Sequence, residues 1–369
     1  MRLIALSFLF ALSGALCGAL PAWAATPAQT VNVYNWSDYI APKVLEQFRK
    51  ETGIRVQYDT YDANEVLESK LLVSGSGYDV VFPTARPYAD RHLRHGVYLA
   101  LDVKQLPNLK NLDPAILHSL VDIDPGNRHV LPYTWGTTGL GYNRAKVLQR
   151  LGTKAALNTW ALLFDPANAA KLKDCGIAIL DDPEEALHAM LIYLGRDPNS
   201  ARPADLAAAI AAYKLIHPYI KYFHSSQYIN DLAGGNVCIA MGYSGDVIQA
   251  RNRAREAKNG VQVMYSLPRE GSIMWVDLMA IPKDAPHVAN AHKFINFLLR
   301  GDIMAAVSNE IAYANANTAA LPLLTPAIRN DPSIYPDDAV RARLKTARAL
   351  TAEERRARTR AFTRIRSGT

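Results

Sequence analysis

The side chains of this sequence best suited to chemistry are aromatic rings close in sequence to carboxylates. Trp275 and Asp277 occupy positions i and i+2 of a strand pattern, so they share one face of the strand. A carboxylate beside an indole ring attracts a cation by its charge and by the ring quadrupole, the latter worth about 0.5–2 kcal/mol. The alternative is an interior tryptophan with Asp277 capping a turn.

Two further segments repeat the pairing of aromatic and acid, namely Tyr243–Asp246 and Val31–Tyr39. In the latter an apolar strand leads into a loop with two large rings, a hydroxyl and an acid. Aromatic rings at a strand end, where nothing forces them into a core, are well placed to contact a ligand. Together the three segments predict capture of a small organic cation.

An acidic run at Asp182 and Glu185 supports two interpretations. Asp182 as the N-cap, Pro183 at the first helical position and Glu185 three residues after the cap form an aspartate variant of a capping box. Alternatively, both carboxylates point into a cleft and hold one ammonium group.

The motifs of common catalytic sites are incomplete. Gly242–Asp246 lacks the final glycine of a nucleophile elbow, and Gly139–Arg144 lacks the third glycine of a dinucleotide-binding fingerprint. His92 and His95 lie three residues apart on a predicted helix, without a third metal-ligand candidate nearby. The sequence therefore predicts a binding protein without catalysis, cofactor or metal.

The elements that position these residues follow an apolar leader. Residues 1–24 carry Arg2 as their one charge and end in Ala-Trp-Ala, which predicts a signal peptide cleaved near Ala24 rather than a membrane span. Cys17 follows Leu16, which is not the small residue of a lipoprotein site, so free secretion is favoured over lipidation. The remaining chain is too long for one core and suits two domains.

The number of cysteines and the distribution of charge further restrict the class of protein. The predicted mature chain has two cysteines, Cys175 and Cys238, which in an oxidising compartment predict one disulfide worth about 4 kcal/mol on the chain-entropy model. Two buried free thiols are the alternative. The formal net charge is +7, but basic residues concentrate in 341–369 and the body 25–340 is mildly acidic. That distribution is not typical of a nucleic-acid-binding surface.

Short β-rich runs alternate with helical patterns, which is typical of α/β layers. Two successive βα units and a further strand predict right-handed crossovers and a crevice at the carboxyl ends of the strands. The extended segment Pro132–Gly141 is expected to leave the first lobe, and two strands within Val261–Ile281 are expected to return to it. The predicted early elements are strand Val31–Tyr34, helix Ala41–Glu51, strand Ile54–Tyr58, helix Asn64–Val73 and strand Asp79–Phe82.

From about residue 31 to its C-terminus the chain resembles the periplasmic putrescine/spermidine-binding proteins of polyamine ABC importers. The segments that carry the resemblance are Tyr34–Ile40, Thr52–Ile54, Tyr222–Asp231, Ala254–Val261 and Tyr313–Asn317. The resemblance implies a type II periplasmic-binding-protein fold, α/β, with two lobes that are each a mixed sheet flanked by helices and a ligand cleft between them. It also implies the Cys175–Cys238 bridge. We expect lobe 1 over 25–136 and about 258–315, and lobe 2 over 137–257 and about 316–369.

Carried over position by position, the resemblance implies a polyamine site of carboxylates and aromatic walls. Tyr243 stands where tryptophan is common, and Asp182 and Trp275 resemble the spermidine-preferring pattern, whereas Asp246 is closer to the putrescine type. Arg86 stands where the family has a small residue or tyrosine. The implied ligand-binding residues are Trp36, Ser37, Asp38, Tyr39, Thr84, Arg86, Asp182, Glu185, Tyr243, Asp246, Trp275, Asp277 and Tyr313.

The resemblance further implies a monomeric periplasmic protein that delivers a polyamine to an inner-membrane ABC permease and does not bind nucleic acid. Arg86 leaves two interpretations open. It is paired at the rim of the cleft, or it lies inside and the ligand is a zwitterion or a guanidino compound such as agmatine. A sensor protein that docks on a receptor when loaded is a further alternative.

Overall fold

The fold is built on strands that begin with the first described residues. The computed structural model describes residues 29–73 and 75–369, so the predicted leader 1–24, with Cys17 and the cleavage near Ala24, lies outside the described residues. The strands are β1 (Thr30–Trp36), β2 (Arg55–Tyr61), β3 (Val80–Val81), β4 (Val130–Asn143), β5 (Ile177–Ile179), β6 (Tyr222–Phe223), β7 (Ile239–Tyr243), β8 (Val263–Ser266), β9 (Ser272–Ala280), β10 (Ala314–Asn315) and β11 (Leu344–Lys345).

These strands form two mixed sheets that share β4, and each sheet is the centre of one lobe. In the first sheet β1 runs parallel to β2 and β3, and β9 runs antiparallel to β3 and β4. In the second sheet β5 runs parallel to β6 and β7, and β4 runs antiparallel to β7 and β8. The strand order through both is β2-β1-β3-β9-β4-β7-β5-β6. The predicted two-lobe α/β fold is therefore confirmed.

β4 passes from one sheet to the other and is buried along its whole length. Its residues Val130–Thr137 pair with β9, and the rest pairs with β7 and β8. A Cβ atom on Gly136 would lie 2.7 Å from the ring of Trp275, and one on Gly139 would lie 2.7 Å from the carbonyl oxygen of Ser266. Glycine at these two positions therefore permits the close packing of the shared strand.

Helices follow most strands and begin at recognisable signals. The first has Pro42 at its start and ends at Gly53, whose φ of 72° is the left-handed conformation of a C-terminal cap. The helices are α1 (Pro42–Thr52), α2 (Asn64–Leu71), α3 (Asp90–Arg94), α4 (Pro114–His118), α5 (Arg144–Leu151), α6 (Ala161–Phe164), α7 (Pro166–Leu172), α8 (Pro183–Tyr193), α9 (Pro203–Ile216), α10 (Gln227–Gly234), α11 (Ser244–Glu256), α12 (Val288–Leu298), α13 (Gly301–Ile311), α14 (Pro326–Arg329), α15 (Asp338–Arg341) and α16 (Ala352–Ser367). Within the described part of the chain, no helix has the length and hydropathy of a membrane span.

Cys175 and Cys238 form a disulfide with 5.4 Å between their Cα atoms. Cys238 directly precedes β7, and Cys175 is separated from β5 by Gly176 alone. β5 and β7 are paired strands of the second sheet. The bridge therefore joins two neighbouring strands at the same end of one lobe. The disulfide predicted from the cysteine count is confirmed.

Two segments depart from the lobe boundaries expected from the sequence. The strand β8 was expected in the first lobe, yet it pairs with the end of β4 that belongs to the second sheet. After Asn315 the chain does not pass at once to the second lobe, because the hydroxyl of Thr318 donates to the carbonyl of Asn111 at 3.0 Å. Farther on, α16 packs on α8 and α9 of the second lobe. Strand pairing and helix docking decide these boundaries, and neither follows from local pattern.

Candidate ligand-binding site

A cavity lies where loops and helix starts of the two lobes meet. Of the thirteen ligand-binding residues predicted from the sequence, all except Asp38 line it. The first lobe contributes residues that follow β1 and β3, together with the face of β9 that carries Trp275 and Asp277. The second lobe contributes the N-terminal turns of α8 and α11. Because β1 and β3 are parallel, their carboxyl ends lie at the same edge of the sheet, which brings Trp36 and Thr84 together.

Asp277 of β9 is a buried carboxylate held by two hydroxyl donors. Tyr39 and Thr84 each donate to it at 2.7 Å. Burial raises the pKa of Asp277 to about 7, although both hydrogen bonds act in the opposite direction. The side chain is thus fixed in place, while its carboxylate has no ion-pair partner among the described residues, which favours binding of a cation.

Asp246 of α11 is the matching carboxylate of the second lobe. Tyr313 and Tyr228 donate to it at 2.6 and 2.8 Å, and burial raises its pKa to about 6. The neighbouring Gly245 makes this arrangement possible, because a Cβ atom there would lie 2.4 Å from the ring of Tyr313. The ring can therefore pack directly over the helix start and reach the carboxylate.

The two interpretations of Asp182 and Glu185 are compatible. The Asp182 carboxylate caps α8 by accepting from the backbone N–H groups of Glu184 and Glu185 at 2.9 and 3.0 Å, and it also lines the cavity. Burial raises the pKa of Asp182 well above its usual value and that of Glu185 to about 7. The Glu185 side chain does not complete a capping box, and its Oε2 is buried without a hydrogen-bond partner among the described residues.

Aromatic rings wall the cavity between these acids. Trp275 makes edge contacts with Tyr243 and Tyr313, with ring centroids 5.6 and 5.4 Å apart. On the other side Trp36 is fixed by its indole N–H, which donates to the carbonyl of Phe82 at 2.9 Å. The indole N–H of Trp275 is buried without a partner in the part of the chain described. The cavity therefore offers apolar walls together with an unmet donor and an unmet acceptor.

Asp38 is the one predicted ligand-binding residue that does not line the cavity. Its backbone is left-handed, with φ of 55°, and its carboxylate accepts from Arg253 of α11 at 2.8 Å instead of lining the cavity. Because Asp38 follows β1 and Arg253 lies on a helix of the second lobe, this contact joins the two lobes. Asp38 thus forms an ion pair between the lobes, and its predicted contact with a ligand stays a prediction.

Arg86 lines the cavity, but its guanidinium points to another surface. It forms an ion pair with Asp122 and donates to the carbonyl of Ser119 at 3.0 Å. The side chain of Asp122 is 66% exposed, so the pair lies at the rim. The carboxylate of Asp182 is not the partner of Arg86, since it accepts from the backbone of α8 as a helix cap.

Several lining residues escaped the sequence prediction, among them Tyr61, Tyr88 and Glu184. Glu184 lies between two predicted acids, so the acidic run Asp181–Glu185 held a signal for it. Tyr88 gave no local signal, since its relation to the cavity depends on how the chain turns after β3. His92 is buried, and its Nδ1 forms a hydrogen bond with the hydroxyl of Tyr98 at 2.7 Å. No group of three or more His, Cys, Asp or Glu side chains could hold a metal ion within 29–73 and 75–369.

A two-lobe α/β fold with a polar and aromatic cavity between the lobes defines a solute-binding protein. Residues 43–336 match the family described as bacterial extracellular solute-binding protein, and the chain belongs to that family. The family resemblance predicted from the sequence is confirmed.

Named relatives agree with this assignment. The chain is 51% identical over 340 residues to the putrescine-binding periplasmic protein SpuD of Pseudomonas aeruginosa (strain UCBPP-PA14), covering 92% of each protein. It is 48% identical over 362 residues to the putrescine-binding periplasmic protein PotF of Escherichia coli (strain K12), covering 97% of this chain and 98% of PotF. Its structure resembles that of the spermidine/putrescine ABC transporter substrate-binding protein PotD from Streptococcus pneumoniae strain Canada MDR_19A, with a TM-score of 0.73, 28% identity and coverage of 92% and 99%.

Proposed function

We propose that this protein is the substrate-binding component of a polyamine ABC importer and that it binds putrescine- or spermidine-type amines. One observation carries the proposal. Three carboxylates without an ion-pair partner among the described residues, the buried Asp246 and Asp277 and the partly buried Glu185, line one cavity whose walls are aromatic. The relatives SpuD and PotF, described as putrescine-binding, support the same ligand class.

The physical demand of a polyamine matches this arrangement. The ligand is a set of ammonium groups on hydrocarbon spacers, and burial of an unpaired charge costs several kcal/mol per ion. Each ammonium group therefore needs a carboxylate, and each spacer needs an apolar wall. In the proposed complex Asp277 and Glu185 neutralise ammonium groups, while the rings of Trp36, Trp275 and Tyr243 pack on the methylene groups and add cation–π attraction.

The remaining roles follow from the family and stay proposals. The protein acts in the periplasm as a monomer, closes its lobes on the ligand, and delivers the ligand to an inner-membrane permease without catalysis and without binding nucleic acid. In the closed form lobe 1 comprises most of 25–136 and 272–315 and lobe 2 most of 137–266 and the C-terminal helix, which shifts the expected boundary to include β8 in lobe 2. The ion pair of Asp38 with Arg253 supports closure, because its partners belong to different lobes.

Isothermal titration calorimetry with putrescine, cadaverine, spermidine and agmatine tests the proposal. We expect at least one amine to bind, and we expect 1,4-butanediol, which matches putrescine in length but lacks charge, not to bind. Asp277→Asn should weaken amine binding by about tenfold or more, since it removes the charge that pairs with an ammonium group. Glu46→Gln, an exposed acid of α1, is the matched control and should leave affinity unchanged.

Two results would contradict the proposal. One is the absence of heat with every amine of the panel, and the other is equal affinity of Asp277→Asn and the native protein. Preference for agmatine would favour a guanidino ligand within the same site. A zwitterionic ligand is disfavoured, because the guanidinium of Arg86 is occupied by Asp122.

A further inference from the structure

The C-terminal helix α16 inserts one fully buried cation into the second lobe. Arg358 is 0% exposed, and its Nε donates to the Glu184 carboxylate at 2.8 Å. Its Nη1 donates to the carbonyl oxygens of Pro198 and Ser200 at 3.1 and 2.8 Å. A buried guanidinium with these partners is held in one position, since it would lose them by moving.

The carboxylate that Arg358 pairs with belongs to the acidic end of the ligand cavity. Glu184 lines the cavity and lies in the first turn of α8, between Asp182 and Glu185. Burial raises the pKa of Glu185 to about 7, and the charge of Arg358 opposes that rise. The positive charge of Arg358 therefore also acts on Glu185, a second carboxylate of the same cavity.

The opposite lobe adds a further acid at this end, and the cation that it contributes to the described cavity lining, Arg86, is paired with Asp122. Tyr88, which lines the cavity, donates to the Glu65 carboxylate of α2 at 2.5 Å. Burial raises the pKa of Glu65, and Glu184 contributes to the rise across the gap between the lobes. His188, one turn along α8, is uncharged at neutral pH because burial and then Arg358 lower its pKa well below the usual value. Arg358 is thus the one fully buried Lys or Arg side chain among the described residues, and it pairs directly with this acidic end.

We propose that Arg358 is a specificity-determining residue, which acts as an internal counter-cation of Glu184 and so limits the number of ammonium groups that the acidic end of the cavity accepts. This inference depends on the proposed polyamine-binding function. In this arrangement Asp182 and Glu185 face the ligand, while Glu184 is withheld from it. The C-terminal helix, which contributes no side chain to the cavity lining, thereby sets the preference between a diamine and a triamine.

A double-mutant cycle tests the inference. Putrescine and spermidine are titrated calorimetrically into the native protein, Arg358→Gln, Glu184→Gln and the double variant, and selectivity is the ratio of the putrescine Kd to the spermidine Kd. Arg358→Gln should raise this ratio about tenfold, because Glu184 then attracts an additional ammonium group. Glu184→Gln should lower it by a similar factor, because the unpaired guanidinium repels the more highly charged ligand. The double variant should lie within about threefold of the native ratio, because it removes one charge of each sign.

The two single variants should change the Kd ratio in opposite directions, and this separates the proposed role from a structural one. A purely structural role predicts the same effect for both, since both variants break the same buried pair and should lower the unfolding temperature. Arg366→Gln is the matched control on α16, where Arg366 pairs with Asp181 at 3.1 Å on the exposed side; its ratio should equal the native one. If Arg358→Gln does not fold, Glu184→Gln and the double variant still test the sign and its reversal. Equal ratios in all folded variants would overturn the inference, whereas a native protein that binds none of the amines of the panel would overturn the proposed function itself.

Discussion

The affinity for a polyamine should fall steeply when the pH is lowered from 8 to 6. Burial raises the pKa of Asp277 and of Glu185 to about 7 and that of Asp246 to about 6 in the ligand-free protein. A bound ammonium group favours the ionised carboxylates, so any protons on them must leave when the ligand binds. The alkylammonium groups of the ligand, comparable to lysine with a pKa of about 10.4, stay charged across this range. The titration therefore belongs to the protein.

The expected loss of affinity follows from these pKa values. A carboxyl group with a pKa of about 7 that is ionised in the complex lowers affinity about tenfold between pH 8 and pH 6, and a group with a pKa of about 6 lowers it about twofold. Asp277, Glu185 and Asp246 together predict a loss of about two-hundredfold. This value assumes that all three groups are fully ionised in the complex and leaves out Asp182, whose pKa is also raised.

Calorimetric titrations at pH 6, 7 and 8, each in two buffers of different ionisation enthalpy, give both the affinity and the number of protons released. At pH 6 we expect about two to three protons to be released per bound ligand. Asp277→Asn should lower affinity at pH 8, and its further loss of affinity between pH 8 and pH 6 should be about tenfold smaller than that of the native protein. Glu46→Gln should show the same loss as the native protein.

A flat profile would refute this reasoning. If affinity changes by less than about threefold between pH 8 and pH 6 and no proton is released, the cavity carboxylates are already ionised in the ligand-free protein. Burial then does not control their charge, and the electrostatic basis of the proposed site is wrong.

Three further outcomes are expected. Trp275→Ala should weaken amine binding about tenfold or more, as loss of a buried aromatic anchor does, while Trp275→Phe should retain most of the affinity. Equal affinity of Trp275→Ala and the native protein would exclude that ring from the site. The double variant Cys175→Ser/Cys238→Ser should lose about 4 kcal/mol of unfolding free energy in urea titrations, because the bridge closes a loop of 63 residues; a loss below about 1 kcal/mol would contradict the chain-entropy account. Asp38→Asn should change affinity by less than about threefold, since a partly exposed ion pair contributes little; a tenfold loss in calorimetry would return Asp38 to the ligand.

Much of the first lobe could be predicted from local pattern. The helix expected at Ala41–Glu51 is observed at Pro42–Thr52, because proline and glycine mark its two ends. The second helix was expected to reach Val73 but ends at Leu71. Leu72 and Val73 beyond it are 60% and 65% exposed, so their apolar character does not reflect a buried helix face.

Part of the candidate site could also be predicted from local sequence pattern. Trp275 and Asp277 share a face because side chains alternate along a strand, and the acids of α8 cluster because they are neighbours in the chain. The contacts that hold Arg86 and Asp38 are long-range. Arg86 and Asp122 are 36 residues apart, and Asp38 and Arg253 are 215 residues apart, so no local pattern could have paired them.

By itself, the amino-acid sequence determined the fold class, the family, the disulfide and the types of side chain that could bind an amine, since these depend on local periodicity, composition and extended motifs. Tertiary structure alone decided which carboxylates keep their charge for a ligand. Arg358 pairs with Glu184 over a separation of 174 residues, and Arg253 pairs with Asp38, which does not line the cavity. The physical reason is that the availability of a charge depends on burial and on its nearest counter-charge, and both are properties of the packed chain.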